Sequence, residues 1–333
     1  MIRFRLSAED LAETRFAFSP IWELVLAVRT LQDPAKHALH IPWAARARRA
    51  IDGLDLGLLQ AVSPPRGYMP DFITPPPETP FSVFDEELER VRATPQDQVR
   101  HDMAVFRQNA EGEVASAADE IDADPAGGAR RIAEQMRRFW NATLAADWPR
   151  IRALLEGDVL YRARRLALGG APSLFADLHD GFSWDGTILS IEKKHSCAHH
   201  GNDVTIDCGG RGLVLIPAVF AWPGFVTMID EPWQPTVCYA PRGIANLWEP
   251  EPADTSGVMD ALIGDTRAEI LRTLEIPMTT SEMAMRLGVT AGAVSQQLAV
   301  LKRAGVVEAD RVGRGVYSRL TPLGQSLLDL LGS

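Results

Sequence analysis

Apolar residues repeat at two different periods along this chain, and the change of period divides it. From Ser19 to Asp33 they recur at helical spacing: Ile21, Trp22, Val25, Val28 and Leu31 share one side of a helix. Ser19 caps that helix, Pro20 opens it and Asp33-Pro34 ends it. The same spacing predicts helices over residues 42–52, 81–93, 95–109 (capped by Thr94, with Pro95 first), 129–146, and from Asp147 towards Leu168. Ile2, Phe4 and Leu6 alternate as a short strand, after which Ser7 and Asp10 cap a short helix. From Gly186 the period becomes two, with strands predicted at 187–192, 204–208, 213–216 and 225–229 between Gly, Asn-Asp and Pro punctuation. Residues 63–80 are proline-rich but carry Tyr68, Met69, Phe72 and Ile73, which predicts a packed loop. Residues 110–128, acidic and small, are expected to be flexible.

After a polar, proline-containing stretch the pattern becomes helical again. Leu262, Ile270, Leu271 and Leu274 mark a first helical segment that Pro277 stops. Thr279 and Glu282 form a capping box for a short helix carrying Met283 and Leu287, which Gly288 closes in a left-handed conformation. Thr290 caps the next helix, where Val294, Leu298 and Leu301 fix the buried side. Ala291, Gly292, Ser295, Gln296 and Ala299 fall on the other side. Ala304-Gly305 ends it, and a hairpin follows with Arg311 and Arg314 near its tip. This order predicts a winged helix-turn-helix. Its small residues permit close approach to a major groove, Gln296 suits adenine, and Thr290 with the helix N-terminus suits a phosphate. The candidate DNA-binding set is Thr290, Ala291, Gly292, Ser295, Gln296, Gln297, Lys302, Arg303, Arg311 and Arg314.

The expected fold class is α+β: a mostly helical N-terminal domain over 1–249 with a small antiparallel sheet, a linker over 250–257, and a winged helix-turn-helix over 258–333. At 333 residues the length accommodates about two domains. The net charge of −10 sits entirely in the first 257 residues; the remainder carries eight acidic and eight basic groups. A neutral reader must rely on a few placed cations. Three cysteines are too few for a disulfide framework. The opening MIRFRLSAED has no apolar signal core, and the apolar run 212–229 is broken by prolines, so a cytoplasmic protein with no membrane partner is expected.

The segments Asp265-Thr-Arg-Ala-Glu-Ile-Leu, Thr290-Ala-Gly-Ala-Val-Ser-Gln-Gln-Leu and Gly313-Arg-Gly-Val-Tyr resemble the ArsR family of bacterial transcriptional regulators over about residues 258–325. Ser19-Pro-Ile-Trp-Glu, Pro70-Asp-Phe-Ile-Thr-Pro and Gly212-Leu-Val-Leu-Ile-Pro-Ala-Val-Phe resemble the long N-terminal domain of actinobacterial members. The resemblance implies a homodimeric repressor reading a palindromic operator in double-stranded DNA. It does not extend to the family's metal ligands: Ala291, Gly292 and Ser295 stand where metal-sensing members carry a Cys-x-Cys pair, and the last helix has no His.

His195, Cys197 and His199 form a separate candidate metal set, suited to zinc, with Cys208 and Cys238 further on. Metal is not needed for DNA binding. The arginines of 42–52 (Arg46, Arg48, Arg49) are expected to form a solvated face. Aromatic residues of the first part, among them Trp22, Trp43, Phe72, Phe220, Trp222 and Trp233, supply either core or a pocket for a small-molecule effector. No catalytic motif stands out, so no enzymatic activity is expected. The alternative is a metal- or small-molecule-binding protein or enzyme whose winged helix serves dimerisation or protein contact.

Overall fold

In the computed structural model, described for residues 1–108, 113–192, 203–248, 260–274, 276–312 and 315–331, the chain divides into two units, Met1–Trp248 and Glu249–Ser333.

The first unit opens with β1 (Ile2–Arg5), whose Ile2 and Phe4 are buried. On its other side Arg3 pairs with Asp203 and Arg5 with Asp207. Ser7 and Asp10 form the expected capping box of α1 (Ala8–Glu13), and β2 (Arg15–Phe16) follows. α2 (Pro20–Gln32) begins as its sequence demands: Ser19 Oγ accepts the Trp22 N–H at 3.1 Å, with Pro20 in the first turn. It is buried on every side from Pro20 to Leu31, charged Glu23 and Arg29 included. A helix surrounded in this way belongs at the centre of a core.

Around it lie α3 (Ile41–Ala50), α4 (Gly57–Val62), α5 (Phe84–Arg92), α6 (Gln96–Arg107), α7 (Glu113–Ala123), α8 (Pro125–Thr143) and α9 (Trp148–Phe175). Three expectations are corrected here. Residues 113–123, expected to be flexible, are α7, because Ala117, Ala118 and Ile121 bury one face. α8 begins at Pro125 rather than 129, since Asp124 caps it through the Gly127 N–H at 3.0 Å. Thr94 does not cap α6; its hydroxyl donates back to Arg90 O. The 63–80 segment is the packed loop expected, with Phe72 and Ile73 fully buried. α9 continues past Leu168 and is broken at Gly170, where φ is +65°.

The strands depart further from expectation. A single small antiparallel sheet is replaced by two mixed four-stranded sheets. One has the order β3-β4-β1-β5 (β3 Phe182–Trp184, β4 Ile188–Ile191, β5 Val204–Asp207). The N-terminal β1 enters it antiparallel to β4 and parallel to β5. The other has the order β2-β6-β8-β7 (β6 Val214–Pro217, β7 Phe225–Met228, β8 Thr236–Tyr239). There β2 and β8 run parallel to β6, while β7 is antiparallel to β8.

This second sheet is apolar on both faces. Val214, Ile216 and Val226 join the helical core, whereas Leu213, Leu215, Phe225 and Tyr239 join a core shared with the first sheet and the end of α9. Burial from both sides explains why 213–216 shows no alternation.

The second unit holds α10 (Asp265–Thr273), β9 (Met278–Thr279), α11 (Thr280–Leu287), α12 (Ala291–Arg303), β10 (Val307–Val312), β11 (Gly315–Leu320) and α13 (Pro322–Leu331). It has its own core of Ile270, Leu271, Met283, Val294, Leu298 and Val307. Among the described residues no helix is long and apolar enough to cross a membrane.

Candidate nucleic-acid interface

The geometry of α11 and α12 is set by local chemistry. Thr279 Oγ1 accepts the Glu282 N–H at 3.3 Å, and Glu282 Oε2 accepts the Thr279 N–H at 2.7 Å. Those bonds from Thr279 hold the Glu282 carboxyl below its ordinary range. α11 ends at Gly288, whose φ of +65° only glycine adopts cheaply, and the Val289 N–H folds back to Ala284 O at 3.1 Å. Thr290 Oγ1 then caps α12 through the Ala293 N–H at 3.2 Å. One turn residue, Val289, is left between a cap that closes one helix and a cap that opens the next.

Burial of Val294, Leu298 and Leu301 locks the rotation of α12. Thr290, Ala291, Gly292, Ser295, Gln296 and Ala299 are exposed, together with Lys302 and Arg303 in the last turn; Gln297 is half-buried at the side. A side chain built onto Gly292 would approach only Thr290 Oγ1, at 3.9 Å, so the start of α12 is open to another molecule.

The wing is antiparallel, with Val307 opposite Leu320 and Val312 opposite Gly315. β11 also pairs with β9, Tyr317 against Thr279, so the hairpin's sheet takes in the residue that caps α11. Arg311 is exposed on β10. Arg319 is held by Asp310 at 2.7 Å and Glu308 at 3.0 Å, which raises its affinity for its proton. This cross-strand cluster was not anticipated; its only signal was an acid at alternate positions 308 and 310 facing a basic residue on the partner strand. Arg286 on α11 is exposed as well, a cation outside the sequence-predicted set. Arg314 lies outside the described residues.

So do His195, Cys197 and His199. Among the described residues no group of three His, Cys, Asp or Glu side chains is placed to hold a metal ion. Cys208 and Cys238 are fully buried in different cores. Burial pushes the Cys208 thiol up to about 12. The arginines of α3 are exposed, as expected of a solvated face; Arg46 pairs with Asp147, and Arg48 donates to Leu31 O at 3.1 Å. Of the aromatic residues, Trp22, Trp43, Phe72 and Phe220 are core.

Residues 262–310 match the family described as a helix-turn-helix domain, a span that runs from α10 through α12 and most of β10. No curated protein matches the chain. The second unit therefore carries a helix-turn-helix domain of the DNA-binding, winged type, which points to a DNA-binding regulator.

Proposed function

We propose that this chain is a one-component transcriptional regulator of the ArsR type, a repressor that reads a palindromic operator as a homodimer under the control of its first unit. The observation that carries the reading is the open end of α12, with Thr290, Ser295 and Gln296 exposed beside a wing hydrogen-bonded to the same motif. In this reading α12 lies in a major groove. Ser295 and Gln296 meet base edges, Ala291 and Gly292 allow close approach, and Gln297 supports from the side. Thr290, Lys302, Arg303, Arg311 and Arg314 hold phosphates. Exposed Leu262 and Leu323, ahead of α10 and in α13, supply apolar surface for self-association. Two readers then meet half-sites about 34–36 Å apart, and an effector bound to the first unit favours or disfavours that spacing. No cofactor enters the DNA contact, and the site of action is the cytoplasm.

The test is a gel shift at moderate salt with the DNA upstream of the protein's own gene against an unrelated duplex of equal length. A saturable shift with two chains per site and a clear preference for the upstream DNA is expected. Equal binding to both duplexes overturns the proposal in favour of a winged helix used for protein contact.

A further inference from the structure

His40 is fully buried, and both of its ring nitrogens are engaged. The Trp248 indole N–H donates to Nδ1 at 2.9 Å, so Nδ1 is the unprotonated nitrogen. Nε2 then carries the proton and donates to Val219 O at 3.0 Å. Desolvation, with a smaller contribution from neighbouring His37, lowers the imidazole to about 4 and keeps it a neutral acceptor.

The rings around it are close-packed. Phe220 lies 4.6 Å from His40 and 4.4 Å from Trp43, centroid to centroid. Trp248 lies 6.0 Å from His40, 5.8 Å from Phe220 and 6.1 Å from Trp43, and the Arg46 guanidinium stands 6.0 Å from its ring. His40, Trp43 and Phe220 are wholly buried, but Trp248 is only partly buried and is the last residue of the first unit.

The walls are held without Trp248. Trp43 sits in α3, and the Val219 and Phe220 N–H groups are fixed by the Glu23 carboxyl oxygens. What Trp248 covers is a slot walled by Trp43, Phe220 and His40, whose rings are tilted to one another, with the His40 Nδ1 acceptor in its wall.

We propose that this slot is a binding site for a planar aromatic molecule carrying a ring N–H, of the indole class, and that Trp248 is its resident occupant, displaced when the ligand binds. The His40 acceptor sets the selectivity, because a ring without the N–H leaves a buried acceptor unpaired. A tethered occupant competes at an effective concentration on the order of millimolar, so a displacing ligand must bind the empty slot more tightly than that. Under the regulator reading, displacement frees the residue from which the chain leaves the first unit towards the reader. The binding claim itself does not depend on DNA.

Calorimetric titration of the full-length Trp248→Ala protein with indole and with 1-methylindole tests it. Saturable one-site binding of indole is expected, roughly tenfold or more tighter than that of 1-methylindole and than that of the wild type by indole. Adding His40→Phe should abolish the preference between the two probes. Trp248→Phe, which keeps a ring but loses the N–H, provides a conservative second variant and should bind indole more tightly than the wild type. Equal binding of the two probes, or no binding by a folded variant, overturns the site. Neither result touches the regulator reading, which fails only in the gel shift.

Discussion

The Glu23 carboxyl accepts the Val219 N–H at 2.7 Å, joining the central helix α2 to a turn 196 residues later in the chain. Its other oxygen accepts the Phe220 N–H at 3.2 Å. Burial is complete, and desolvation pushes the carboxyl from 4.5 up to about 8. Glu87, which accepts from Ser19 and the Ile21 N–H at the start of the same helix, is pushed to about 7 for the same reason.

The sign follows from linkage. A carboxyl that binds its proton more tightly when folded stabilises fully below about 4.5, and that contribution is lost as pH rises through about 8. Urea midpoints of the wild type should therefore fall across that interval. Glu23→Gln, uncharged and nearly isosteric, should flatten the decline, leaving the share due to Glu87, Asp71 and Asp102, which burial also pushes up. An unchanged slope in Glu23→Gln would refute the assignment.

A second buried network predicts a larger loss. Arg162 Nε donates to Asp158 at 2.7 Å, Tyr239 donates its hydroxyl to the same carboxylate at 2.9 Å, and the Arg242 N–H reaches it at 3.0 Å. Arg162 and Asp158 are almost fully buried. Removing one partner strands a buried charge, so Asp158→Ala should cost roughly 3–5 kcal/mol in denaturant unfolding. A loss below about 1 kcal/mol would show that water or a neighbour replaces the carboxylate.

The second unit was legible because its signals are local. Thr279 reads Glu282 three residues on, Gly288 stops the helix it follows, and Thr290 starts the next. Those caps fix the phase of α12, and with it which side chains are exposed. In the first unit the decisive contacts are distant. Ile2 lies opposite both Ile191 and Val204, a pairing that nothing near Ile2 encodes, so the local pattern predicts one antiparallel sheet where the fold has two mixed ones. α7 was hidden because alanines at 117 and 118 read as small and mobile when they are small and packed. Glu23 and Arg29 made α2 look one-sided, although their partners are carried by remote segments. His40 gave no sign of Trp248, 208 residues away.

Gly288 offers a clean test of the turn between α11 and α12. A side chain there meets nothing within 4 Å, so any cost comes from the backbone alone, at φ +65°. Gly288→Ala should destabilise the turn by about 1–2 kcal/mol, and Gly288→Asn by less, because asparagine tolerates the left-handed region. Amide exchange in α11 and α12 of the full chain should accelerate in that order. Equal rates for the two variants would mean that tolerance of the left-handed conformation does not set the cost at this position.

The last prediction separates base reading from phosphate holding. Gln296 is exposed on the open side of α12 and ends in both a donor and an acceptor, so its contribution depends on the base it meets. Gln296→Ala should cost about 1–3 kcal/mol of discrimination between operator and unrelated DNA while leaving affinity for unrelated DNA nearly intact. Arg311 is exposed on the wing, whereas the nearby Arg319 is occupied by Asp310 and Glu308. A phosphate contact is indifferent to sequence and releases a counterion. Arg311→Ala should therefore weaken both duplexes alike and lower the salt slope by about one, and Arg314→Ala should do the same. Competition binding at several salt concentrations distinguishes the two classes. Equal losses with unchanged slopes in the glutamine and arginine variants would remove α12 and the wing from these roles.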